Sequence, residues 1–175
     1  IWTKTNWKKI QTKNGSIILY NDVSDEPCTT GDRTLIYKTE NKEYSYRLGF
    51  DMSFGVDYLN HENNSTDEII ISKCNTNCNV CLSSIIVLSV KNESLTEIFS
   101  IQYDDFQISE KNLVISNSIR TPEDGYGKFI PHRFKISTFS YINGKFKKVK
   151  EVVTLNKFEN FNLEDLEETK TIRIE

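Results

Sequence analysis

The feature that most constrains this chain is a repeated pattern: a short run rich in Ile, Val, Leu, Phe, Tyr and Thr, followed by a polar turn. Nine such runs stand out: Gly15–Asn21 (GSIILYN), Arg33–Thr39 (RTLIYKT), Glu43–Phe50 (EYSYRLGF), Glu68–Lys73 (EIIISK), Leu82–Lys91 (LSSIIVLSVK), Leu95–Tyr103 (LTEIFSIQY), Asn112–Ile119 (NLVISNSI), His132–Ile142 (HRFKISTFSYI) and Lys145–Leu155 (KFKKVKEVVTL). Several alternate apolar with polar residues, the period of a strand buried on one face. The chain contains no alanine, which removes the strongest helix former, and its β-branched and aromatic residues suit a pleated surface. The fold class expected is all-β: an antiparallel meander of about nine strands, propeller-like or a sandwich.

Turn chemistry supports the meander. Asn143-Gly144 between two alternating runs is a strong hairpin signal, because a type I′ turn needs positive φ at both central residues. Asn14-Gly15 opens a second hairpin from Lys8-Lys9-Ile10, and Lys91-Asn92-Glu93-Ser94 joins two apolar runs by a short polar turn. In RFKISTFSY the period breaks between Ile136 and Phe139, and a bulge near Thr138 would reset the face. One short helix is expected over Asn162–Glu168, capped by Asn162 with Leu163 and Leu166 three apart. The 175 residues suit one domain spanning 1–175.

The charge balance of 22 basic against 25 acidic residues gives no basic excess, so nucleic acid is not an expected partner. The densest basic run, Lys145, Lys147, Lys148 and Lys150, alternates with Phe146 and Val149 and reads as the wet face of a strand. No run approaches the roughly 18 apolar residues of a membrane span. The chain opens at Ile1 without an initiator methionine. The expectation is therefore an exported protein freed of its targeting segment: periplasmic, surface-anchored as a lipoprotein, or extracellular.

Cys28, Cys74, Cys78 and Cys81 are an even set that suits an oxidising compartment, so two disulfides are the leading expectation, with Cys28 tied to one of the clustered three. Such a link closes a loop of roughly 50 residues and contributes about 3–4 kcal/mol by restricting the unfolded chain. Four-thiolate zinc is an alternative, although only Cys78 and Cys81 form the usual C-x2-C knuckle. The spacing C-x3-C-x2-C also matches the cluster-binding loop of radical S-adenosylmethionine enzymes, but hairpin-like strands follow it where that family has an α/β barrel.

Between Phe50 and Ile71 the acids Asp51, Asp57 and Asp67, with Asn60, Glu62, Asn63 and Asn64, supply many oxygen donors. Asp67-Glu68-Ile69-Ile70-Ile71, with Asp51, Gly55 and Asp57, resembles the Asp-rich loop and following strand of FG-GAP-like β-propeller repeats. That resemblance implies a calcium-binding loop leading into a propeller blade, although the family's D-x-D-x-D-G spacing is absent here. Calcium takes six to eight oxygens, and a solvated polar loop has the same composition. No resident cofactor is expected, with calcium and zinc left open.

Catalytic motifs are missing: neither His61 nor His132 sits in a nucleophile pattern, and there is no Walker or G-x-G-x-x-G loop. Asp104-Asp105 and Glu123-Asp124 are adjacent pairs without visible cleft geometry. The function expected is therefore non-enzymatic: a bacterial cell-envelope module that binds a protein partner, such as an inhibitor or immunity protein acting sterically through Phe50–Asp67 or Thr121–Pro131. Asp51, Asp57, Asp67 and Tyr126 are its candidate binding residues. A carbohydrate-binding or adhesion module and a small carboxylate-dependent hydrolase are the alternatives. Trp2, Trp7, Tyr44 and Tyr46 form either a recognition surface or inter-sheet filling. The oligomeric state is not legible.

Overall fold

The computed structural model describes residues 6–21, 33–49, 53–59, 67–75, 82–109, 112–121 and 130–174. It is mostly β, with three antiparallel sheets that do not close into a barrel. The first sheet contains β1 (Asn6–Gln11), β2 (Ser16–Asn21), β3 (Arg33–Lys38) and β4 (Glu43–Gly49). β5 (Ser53–Leu59), β6 (Glu68–Asn75), β7 (Leu82–Lys91) and β8 (Ser94–Tyr103) form the second. The third holds β9 (Asp105–Ile108), β10 (Asn112–Ile119), β11 (Arg133–Ile142), β12 (Lys145–Thr154) and β13 (Thr171–Arg173). In each sheet neighbours in sequence are neighbours in space.

Thirteen strands among the described residues replace the expected nine. All nine expected runs are present; β1 is the Lys8–Ile10 partner expected of the Asn14-Gly15 hairpin, and β5, β9 and β13 are the additions. β5 corrects the reading of Phe50–Asp67 as a loop: in SFGVDYL the apolar Val56 and Tyr58 alternate with Gly55 and Asp57, and both pack on the core. The chain divides into two compact units, Ile1–Ile101 and Gln102–Glu175, described in turn.

In the first unit the two four-stranded sheets share one core. Ile17, Leu35, Tyr37 and Leu48 from the first sheet meet Ile69, Ile71, Ile86, Leu88 and Leu95 from the second. Each such side chain contributes about 1.5–3 kcal/mol by leaving water. Tyr44 and Tyr46 pack against this core, with Tyr44 stacked 6.3 Å from Tyr37, so they fill the inter-sheet space. Ile70, Ile85 and Val87, on the opposite face of β6 and β7, are buried as well. Burial on both faces explains why EIIIS and SIIVL are unbroken apolar runs and not alternating ones.

The hairpin turns of both sheets lie at one end of this unit. Lys42, in the β3–β4 turn, pairs with Glu93 in the β7–β8 turn, and Asp67, entering β6, bonds the β1–β2 turn. Asn92 and Glu93 have φ of 49° and 64°, a two-residue turn with positive φ at both central positions. The Asn14-Gly15 turn is built otherwise, since neither residue is among the positive-φ residues. Gly15 is needed for proximity: a Cβ there would lie 2.3 Å from the Lys38 carbonyl oxygen.

The second unit is the five-stranded sheet with the segment that follows β12. Phe134, Ile136 and Val152 are covered on one face by Phe161 and Leu163, with Phe158 and Leu166 beside them. Phe161 lies 5.3 Å from both Phe134 and Phe158. The short helix is a 3₁₀ turn over Leu163–Glu168, and Asn162 caps it by accepting from the Glu164 N–H at 3.1 Å. Asn143 and Gly144 take φ of 52° and 76°, the turn the sequence announces.

The register shift falls between Thr138 and Phe139, but the extra residue is on the other strand. Thr138 faces Lys150 and Phe139 faces Lys148, leaving Val149 as the bulge of β12. β11 therefore keeps strict alternation. Ile136 belongs to the Phe134 core, whereas Phe139 is buried on the opposite face.

Candidate functional site

Asp67 is fully buried, and its surroundings explain how a carboxylate survives there. Oδ2 accepts from the Thr12 hydroxyl at 2.6 Å, the Tyr37 phenol at 2.9 Å and the Asn14 backbone N–H at 3.3 Å. Oδ1 accepts from Asn14 Nδ2 at 3.1 Å. The Asp67 backbone N–H donates back to the Tyr37 oxygen at 3.1 Å. Several donors satisfy a charge that would otherwise be costly to bury. Burial pushes the Tyr37 phenol above its usual range, with the neighbouring carboxylate adding to the rise. Asp67 thus joins the β1–β2 turn and β3 to the start of β6, and both its oxygens are taken by protein donors.

The other residues singled out in the sequence are scattered. Asp57 is exposed on β5 and accepts from the Tyr58 N–H at 2.8 Å. Gly55 donates its N–H to Ser72 Oγ at 3.1 Å. Asp51, Tyr126, Cys28, Cys78 and Cys81 lie outside the described residues, as do His61, Trp2 and the Glu123-Asp124 pair. Cys74 is on β6, in register with Ser53 and Ser83. Among the described residues no group of three or more His, Cys, Asp or Glu could hold a metal ion.

His132, which sits in no nucleophile pattern, is buried and bridges Phe158 through two backbone bonds of 2.8 Å. The Asp104-Asp105 pair is structural. Asp104 accepts from the Ser118 N–H. Asp105 accepts from the Phe106 N–H at 2.8 Å and the Leu163 N–H at 3.0 Å, pinning the start of the 3₁₀ turn to β9.

Among the described residues an exposed groove lies at the β12–β13 edge, which the sequence reads as a wet strand face. Lys148, Val149, Lys150, Glu151, Arg173 and Ile174 line an open groove there. Val149 is 45% exposed, Ile172 53% and Ile174 43%. Lys148 reaches Glu151 at 2.8 Å, and with Ser137 it holds that carboxyl below the usual range. The signal that could have found this edge is the basic, apolar-spiked run KFKKVK just before Val152–Thr154, the stretch that TIR pairs with.

Comparison with protein families, curated proteins and solved structures finds no match to this chain.

Proposed function

We propose that this chain is a non-enzymatic protein-binding module of the bacterial cell envelope, with the β12–β13 edge as its contact surface. One observation carries the reading: the exposed Val149 and Ile174 line one groove with Lys148, Lys150 and Arg173, and the exposed Ile172 lies on the same strand as Arg173. Apolar side chains surrounded by charge have the anatomy of an interface core and its rim. The described acids with buried partners, Asp67 and Asp105, serve as pins between elements and not as paired catalysts. An inhibitor or immunity protein acting by steric blocking fits a rigid scaffold with such an edge.

The propeller-like form of the fold belongs to the same proposal. Three consecutive up-and-down meanders, two of them four-stranded, follow the grammar of propeller blades. The cysteine proposal is that Cys28 is tied to the cluster of three. With the hairpin turns at one end of the first unit, Asn21, Arg33, Asn75 and Leu82 stand at the other. The connections that carry Cys28 and the cluster both start from that end. Counting thiols by mass, with and without reductant and chelator, tests it; four free thiols or a retained metal ion removes it.

The test of function is a photo-crosslinking amino acid placed at Ile172 and, as control, at the exposed Glu97 of β8. A discrete protein adduct at 172 and none at 97 is expected in the cells that make the protein. No adduct at 172 would end the reading.

A further inference from the structure

The β12–β13 edge also carries information about the form its partner takes. β12 has ten residues, yet β13 pairs with only its last three, Val152–Thr154. One further bond, from the Ile174 N–H to the Glu151 carbonyl at 3.1 Å, ends that ladder. From Lys145 to Lys150, no strand among the described residues lies along the outer edge. An uncovered strand edge is a row of backbone donors and acceptors that templates another strand. The bulge at Val149 sits within this stretch, and it turns an apolar side chain outward between lysines.

Charge selects among candidate strands. Lys148, Lys150 and Arg173 line the groove with Glu151, and Lys145 and Lys147 precede them on the same strand, in a chain whose net charge is −3. All four lysines of the run are exposed. Val149 and Ile174 lie in the same groove, so an incoming segment meets apolar and basic positions within a few residues.

We propose that the outer edge of β12 over Lys145–Lys150 accepts an extended acidic segment of the partner protein, added as a strand in line with β13. The backbone ladder supplies the hold, while the lysines and the exposed Val149 and Ile174 supply the choice of sequence. This rests on the protein-binding reading above and names the partner's chemistry: a strand alternating Glu or Asp with β-branched residues.

The experiment uses the full chain and three synthetic peptides: a seven-residue alternation of Glu and Val, the same peptide N-methylated at alternate amides, and a Lys–Val counterpart. Fluorescence anisotropy reads binding, and amide hydrogen exchange reads protection. The expected result is binding of the acidic peptide at least about tenfold tighter than either control, with slowed exchange confined to 145–150. Lys147→Glu with Lys150→Glu, both at exposed positions, is expected to weaken it about tenfold or more at unchanged melting temperature. Val149→Pro is a second, backbone-directed variant.

Equal binding of the N-methylated peptide would overturn the added strand and leave charge alone. Tighter binding of oligo-dT than of the acidic peptide would assign the lysines to nucleic acid and overturn the proposal. No binding at all would make them edge protection only. A crosslink at 172 without peptide binding defeats this proposal but spares the protein-binding reading; absence of the crosslink defeats the reading itself.

Discussion

Tyr37 and Asp67 are bonded in both directions: the phenol donates to the carboxylate at 2.9 Å and accepts from the backbone N–H of the same residue at 3.1 Å. One hydroxyl therefore serves two buried groups on the entry to β6. Tyr37→Phe leaves both without that partner, and an unmet buried group costs about 1–3 kcal/mol. Urea unfolding should show a loss of about 2–3 kcal/mol. A change within about 0.5 kcal/mol, the range of ordinary surface substitutions, would mean the bonds are incidental.

The same pair makes an alkaline prediction. Tyr37 is raised above its usual value, mainly by burial, so the folded state holds its proton more tightly than the unfolded chain. A raised group contributes stability that is complete below the unfolded value of about 10 and fades as pH climbs beyond it. Tyr46 shifts in the same direction, through burial and then Glu97. Stability should fall above about pH 10 in the wild type and fall less steeply in Tyr37→Phe. Parallel alkaline limbs would refute the assignment.

Two glycines separate proximity from conformation. Gly144 has φ of 76° and nothing near its missing Cβ, so Gly144→Ala should cost about 1–2 kcal/mol of left-handed strain. At Gly15 a Cβ would strike the Lys38 carbonyl oxygen at 2.3 Å. Backbone must then move, and thermal melts should rank Gly15→Ala as the more damaging change.

Glu93 occupies the left-handed region at φ 64°, where glycine is at no disadvantage. Its bridge to Lys42 is solvent-exposed and offers little in return. Glu93→Gly is expected to raise stability by about 1 kcal/mol. A lower melting temperature would show that the bridge outweighs the strain.

At the other compact unit, Asp105 holds the Leu163 N–H. Asp105→Ala should cost about 1 kcal/mol, as loss of a helix cap does, and should speed amide exchange over 161–169 before the sheet opens. Unchanged exchange there would remove the pin.

Strand identity was largely legible, because alternation, β-branching and Asn-Gly turns are local facts, and β11, β12 and their turn depend on little else. β5 was missed because its acids and glycine masked a period of two. β13 was missed because TIR is too short to carry a period and becomes a strand only beside Val152–Thr154. The bulge could be located near Thr138, but its extra residue could not be assigned to β12, since that depends on which strand supplies the partner.

The sequence by itself determined the all-β class, the order of the strands and the chemistry of the tightest hairpin, because each follows from propensities acting over a few residues. Only the tertiary structure decided what the charged residues do. Asp67 looks like a solvated loop acid until Thr12 and Tyr37, 55 and 30 positions away in the chain, are folded against it. Lys145–Lys150 looks like ordinary wet surface until β13 is seen to pair with Val152–Thr154 alone, with no other described strand beside that edge. Solvation and partnership depend on which distant groups come together, and no local pattern encodes that.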